Sequence, residues 1–151
     1  MKTSDHIYQI EFITEEEHPK RGVVILVSDD NKMNAKTKFD KLKTNTERHF
    51  RTRFDAWKDG KLNKKWYHGW NQTEFGGKYA LCFVFKYKSD RFYGFLCNPK
   101  TTNRAYQICV LATHINKHQD KTDEADLKEI ESIRTMFLVN KAIEIYFKGK
   151  K

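Results

Sequence analysis

Two prolines and seven glycines in 151 residues leave no room for a Pro- or Gly-rich linker. No internal repeat or low-complexity stretch divides the chain, so one domain over residues 1–151 is expected, large enough for a core without staples. No apolar run approaches the roughly 20 residues of a membrane span. The opening MKTSDHIYQIEF holds no apolar core of signal-peptide length. The expectation is a cytoplasmic protein with no membrane partner. Three cysteines, Cys82, Cys97 and Cys109, lie far apart inside apolar runs. That spacing excludes a zinc knuckle or a CxxC redox pair and suggests reduced, buried thiols. Also missing are a phosphate-cradling Gly loop, HExxH and GxSxG. Glu15-Glu16-Glu17 cannot all face one ion from a regular element, so no metal is expected.

Cations are abundant instead. The chain carries a formal charge of +9 and a pI near 9.4, which calls for an anionic partner, nucleic acid first among them. Between Lys32 and Lys65 twelve lysines and arginines face four carboxylates, an excess of eight that holds nearly all the net charge. Residues 120–131 are acidic by contrast. The bland alternative for the basic segment is a solvated face.

Periodicity orders the chain. Ile7 to Ile13 alternates apolar and polar residues, and Val23 to Val27 is continuously apolar, so a strand pair at about 7–27 is expected. From Ala35 to Lys58, Phe39, Leu42, Phe50, Phe54 and Trp57 recur at helical spacing, with Thr46 at the intervening step. They predict one amphipathic helix with a basic outer face, stopped by Gly60. The aromatic stripe reads as core; Lys38, Lys41, Arg48 and Arg51 are the candidate RNA-binding cations. Lys64-Lys65-Trp66-Tyr67-His68-Gly69-Trp70 interleaves aromatics and cations in a loop. Lys64, Lys65 and Trp66 are candidates for stacking on unpaired bases and holding phosphate; the alternative is that the tryptophans cover a core edge. Strands follow at 78–85, 91–97 and 106–115 as an antiparallel meander. After Thr122, a candidate N-cap, Leu127, Ile130, Ile133, Arg134 and Phe137 trace a second amphipathic helix, which Asn140 can interrupt before a last turn of helix or short strand at 142–147. The order β-β-α-β-β-β-α predicts an α+β domain: a single twisted antiparallel sheet with helices packed on a face.

The stretch Tyr106 to Thr122 draws most attention. A buried run, Ile108-Cys109-Val110-Leu111-Ala112, gives way to Thr113-His114-Ile115-Asn116-Lys117-His118-Gln119-Asp120-Lys121-Thr122. Two imidazoles, two ammonium groups and a carboxylate at a strand exit can form a site; a solvated turn is the alternative. If the strand stays regular, His114 and His118 share one face and Lys117 takes the other.

The run V-L-A-T-H-I-N-K-H-Q-D-K-T and the acidic helix start Asp123-Glu124-Ala125-Asp126 resemble the C-terminal signature of the RelE/ParE toxin superfamily, in its HigB-like, phage-derived branch. G-K-Y-A-L and Arg91-Phe92-Tyr93 extend the resemblance upstream. The basic pair is Lys117-His118 rather than two lysines, Asp123 replaces a usual proline, and Cys82 or Phe83 stands where an arginine is often found. The resemblance implies a RelE-like fold and the toxin component of a type II toxin–antitoxin system. Its cognate antitoxin and mRNA, with or without the ribosome, are the implied partners. The implied activity is a metal-independent endoribonuclease (mRNA interferase) needing no cofactor. The RNA's own 2′-OH attacks the adjacent phosphate, leaving a 2′,3′-cyclic phosphate and a 5′-OH. Such a reaction needs a base, cations on the phosphorane and an acid. His114 and His118 are candidates for acid or base, Lys117, Lys121 and Arg91 for phosphate clamps, and Tyr93 for a donor. The alternatives are a non-catalytic basic module binding RNA, DNA or the ribosome, and a gyrase-poisoning ParE-like toxin.

Overall fold

The computed structural model describes residues 6–14, 20–100, 103–117 and 123–148. Within these residues six strands form one sheet: β1 (Tyr8–Phe12), β2 (Arg21–Ser28), β3 (Tyr67–Gly69), β4 (Cys82–Tyr87), β5 (Asp90–Cys97) and β6 (Gln107–Asn116), in the order β1-β2-β6-β5-β4-β3. Among the described residues four α-helices accompany it: α1 (Ala35–Asp40), α2 (Thr44–Lys58), α3 (Glu124–Arg134) and α4 (Phe137–Phe147). The fold is α+β, but the sheet is mixed, not wholly antiparallel. β2 runs parallel to β6, Arg21 opposite Gln107 through Ile25 opposite Leu111. The directions alternate along the chain after the helices: β3 runs opposite to β2, and the antiparallel steps β3–β4, β4–β5 and β5–β6 then bring β4 and β6 into the direction of β2.

Helices cover both faces rather than one. α1 and α2 pack Phe39, Phe50, Phe54 and Trp57 against Val23, Ile25, Phe85, Phe92 and Leu111. α3 and α4 pack Leu127, Ile130, Ile133, Val139 and Phe147 against Val24, Val84, Phe95, Val110 and Ala112. A central strand sandwiched in this way must be apolar on both sides, which accounts for the unbroken buried run from Ile108 to Thr113. The aromatic stripe of α2 is core, as its spacing predicts. Phe50 meets Phe92 and Phe54 meets Phe85 edge-on, each pair 4.9 Å between ring centres.

Several element boundaries differ from expectation. The helix predicted over 35–58 is two helices, because Lys43 is extended (φ −64°, ψ 149°) and redirects the chain while Leu42 still packs inward. The segment read as a loop at 64–70 contributes edge strand β3. The strand predicted from Lys78 begins at Cys82, after a 3-10 turn at Glu74–Gly77 with Phe75 and Gly76 at positive φ. Asp123, not Thr122, caps α3: its Oδ1 accepts the Ala125 N–H at 3.0 Å. Phe137 is 76% exposed and opens α4 rather than extending α3. Asn140 does not interrupt that helix; its Nδ2 donates to the carbonyls of Arg134 and Met136.

The β5–β6 pairing shifts register between Tyr93, opposite Thr113, and Gly94, opposite Leu111, leaving Ala112 as the extra residue of a bulge. Gly94 is required there, since a Cβ would overlap the Val110 carbonyl oxygen.

Candidate nucleic-acid interface

The residues predicted to gather at the exit of β6 fall on opposite sides of the sheet. His114 lies on the α1/α2 side, its ring 4.8 Å from that of Phe92. Its Nε2 meets Asp90 Oδ1 at 2.7 Å, and its side chain is only 9% exposed. Asn34 holds the same residue by its backbone, accepting the His114 N–H at 2.8 Å and donating to its carbonyl at 3.3 Å. Lys117 lies on the α3 side, with Nζ 2.6 Å from Asp126 Oδ2. His118 and Lys121 lie outside the described residues.

Arg91 and Tyr93 share the α3 side but are buried, at 6% and 2% exposure. The Arg91 guanidinium donates to the Lys88 and Asp90 carbonyls. Tyr93 lies along Trp70, ring centres 6.3 Å apart. Burial, aided by the charge of Asp126 and opposed by that of Arg91, pushes its phenol up to about 12. Arg91, Tyr93 and Lys117 are thus neighbours, whereas His114 is separated from them by the sheet itself.

The basic segment sorts into structural and exposed cations. Lys36 pairs with Glu11 and Asp40, and Lys58 with Asp55. Arg51 pairs with Glu47 at 2.7 Å, donates to the Ile13 carbonyl and covers Phe39. Arg53 is buried between Trp66 and Tyr87, 4.5 and 4.9 Å from their ring centres, and donates to the Lys86 and His49 carbonyls. Desolvation holds its pKa below the usual arginine value. Trp66, expected to stack on bases, therefore already carries a guanidinium on its ring. The four carboxylates of the segment include the partners of Lys36, Arg51 and Lys58, so these pairs leave its surplus on Lys32, Lys38, Lys41, Lys43, Arg48, Lys61, Lys64 and Lys65, all exposed. Lys38, Lys41, Lys43 and Arg48 cluster about the start of α2. Lys61, Lys64 and Lys65 lie beyond its end, about 22 Å away at 1.5 Å per residue.

Beyond the end of α2 a half-open cleft of about 750 Å³ runs between the α2–β3 connection and the β3–β4 edge. Trp57, Phe83 and Trp70 are among its walls, with Arg21, Lys61 and Lys64 as its cations and His68 beside them. The Arg21 guanidinium lies 4.7 Å from the Trp57 ring centre and donates to the Trp57 carbonyl. Sequence reasoning singled out the Lys64–Trp70 stretch but missed that Arg21 and Lys61 join it; Arg21 arrives from β2, with no local signal.

Among the described residues no group of three His, Cys, Asp or Glu side chains stands together as a metal site, and no helix is long and apolar enough to cross a membrane. No protein family, curated protein or solved structure matches the chain.

Proposed function

We propose that this chain is an RNA-binding protein that engages the phosphate backbone through the exposed cations at the start of α2. The carrying observation is the separation of charge just described. Lys36, Arg51, Arg53 and Lys58 are committed to the fold, while Lys38, Lys41, Lys43 and Arg48 stay exposed on one helical layer. Cations with no structural duty are available to replace counterions on a polyanion. The test is the salt dependence of affinity for a labelled single-stranded RNA. Replacing all four by Gln should flatten the log–log slope by roughly 0.7 for each phosphate that is no longer neutralised. An unchanged slope overturns the assignment, and tighter binding of duplex DNA of equal length reassigns the partner.

A second reading, the metal-independent endoribonuclease toxin of a toxin–antitoxin pair, is favoured by the grouping of Arg91, Tyr93 and Lys117 on one face beside α3. Lys117 immediately precedes His118, and Lys121 follows. In that reading the cations stabilise the phosphorane while an imidazole moves the 2′ proton. The tight Asp90 partnership gives His114 a structural role and leaves His118 the acid–base candidate. Cleavage in excess EDTA, 2′,3′-cyclic phosphate ends, and loss of cutting on a 2′-methoxy substrate support it. Intact RNA alongside tight, salt-sensitive binding rejects it and leaves the first reading standing.

A further inference from the structure

Between α2 and the chain just beyond β1 lies a pocket of about 250 Å³, lined by Ile13, Thr14, Arg51, Phe54, Asp55 and Lys58. The four helical residues recur at i, i+3, i+4 and i+7, so one face of α2 makes one wall. Ile13 and Thr14 make the other, and the Arg51 guanidinium ties the two together by donating to the Ile13 carbonyl at 3.0 Å. The volume falls short of the roughly 300–1,000 Å³ of drug-sized ligands but is several times the roughly 30 Å³ share of one water. Such a space suits a single polar group.

Lys58 separates this pocket from a hydrated crevice. Its side chain is 9% exposed, yet among the described residues its ammonium makes no hydrogen bond. Its ion-pair partner, Asp55 Oδ1, stands 3.6 Å away, beyond hydrogen-bonding reach, on a carboxylate that is 59% exposed. The fold holds Lys58 in place but leaves its three N–H donors unmatched, an arrangement that a long pair to a solvated carboxylate compensates poorly. Two more donors line the same space. Thr14 Oγ1 accepts the Val23 N–H at 3.0 Å, so its own hydroxyl proton is left to donate. Arg51 engages Glu47 and the Ile13 carbonyl, which leaves N–H groups of its fork for an anion. Asp55 opposes an anion, but water screens its exposed charge more than it screens the attraction of buried Lys58. Donors drawn from both walls suit a tetrahedral oxyanion, which accepts in several directions, better than a planar carboxylate.

We propose that this pocket binds one phosphate group, held by Lys58 with Thr14 and Arg51. The site is distinct from the exposed cations at the start of α2 and goes beyond the RNA reading. Its ligand is either free phosphate or one phosphate of a strand, and only the second source rests on that reading.

The experiment is an amide NMR titration of the full chain with inorganic phosphate at constant ionic strength. The amides of Ile13, Thr14 and residues 51–58 should shift saturably, in the millimolar range or tighter. Lys58→Met should weaken binding about tenfold or more, and Lys58→Arg should retain it. Lys128→Gln, which removes an exposed charge from α3 across the sheet, should bind like wild type. Should Lys58→Met fail to fold, the position of the shifting amides in the wild type still decides the matter. Two RNAs of one sequence, with and without a 5′-phosphate, then identify the source. A Lys58-dependent preference for the phosphorylated end identifies a terminal phosphate, and equal Lys58-dependent affinities identify a backbone phosphate. Phosphate binding with no effect of Lys58 on either RNA identifies the free anion, and stands even where RNA binding itself fails. Absence of saturation up to about 10 mM phosphate, shifts scattered over the exposed lysines, or indifference to Lys58→Met overturns the assignment. So does binding that appears only when Glu15, Glu16 and Glu17 are replaced by Gln, since the chain's own carboxylates would then be the occupant.

Discussion

The carboxamide of Asn34 acts as the strand partner of His114, 80 residues away. Its Oδ1 accepts the His114 N–H at 2.8 Å and its Nδ2 donates to the His114 carbonyl at 3.3 Å. β2 pairs with β6 only as far as Leu111, so without Asn34 these part-buried groups would be left unmatched. Asn34→Ala should therefore lower stability by about 1–3 kcal/mol in urea unfolding. RNA affinity, measured under conditions where the variant stays folded, should not change. A stability equal to wild type would show that water replaces the carboxamide at no cost.

Lys117 and Asp126 form a pair with side chains 14% and 19% exposed. Removing either partner leaves the other charge partly buried. Lys117→Ala and Asp126→Ala should each cost about 1–3 kcal/mol, and the double variant less than their sum. If growth arrest on expression falls in Lys117→Ala but not in an equally destabilised Asn34→Ala, Lys117 acts on RNA; equal losses assign it to the fold.

Arg48 and Arg51 are three residues apart on α2 yet should behave oppositely. Arg48 is exposed and, among the described residues, bonds only the nearby Asn45 side chain. Arg51 is bonded to Glu47 and the Ile13 carbonyl. Arg48→Gln should weaken RNA binding and leave the unfolding midpoint in place. Arg51→Gln should cost about 1 kcal/mol of stability with the smaller loss of affinity. The reverse pattern would move the binding surface to the β1–β2 side of α2.

Burial pushes the thiols of Cys82 and Cys97 up to about 12, and that of fully buried Cys109 well above its usual value. A raised pKa means the folded state holds the proton more tightly. The associated stability is therefore complete below the unfolded thiol pKa of about 8.5 and is lost as pH rises from there toward 12. The urea midpoint should fall over that window, less so in Cys82→Ala relative to its own neutral-pH value. Near pH 8, thiol reagents should modify Cys109 only at the rate of unfolding; fast labelling without denaturant would contradict its burial.

Much of this molecule is legible locally. The alternation from Ile7 to Ile13 and the apolar run of β6 identify strands, and the spacing of Leu127, Ile130 and Ile133 identifies a helix face. Such periodicities record which sides of an element are dry, and the burial of Cys82 and Cys109 follows from the same patterns. The charge surplus of residues 32–65 is likewise a property of composition.

Tertiary structure decided the rest, because it depends on partners remote in sequence. Nothing near Val23 shows that β2 pairs parallel with β6; that pairing joins the first strand pair to the last strand of the β3–β6 meander. Only the folded neighbours divide the basic segment into Arg53, enclosed by Trp66 and Tyr87, and Arg48, left exposed. The odd separation of His114 and Lys117 already sends them to opposite faces of a regular strand, but it does not say what meets them. There Asp90 and Asp126 wait on different sides of the sheet, since an ion pair or a cleft exists only where the fold brings its walls together.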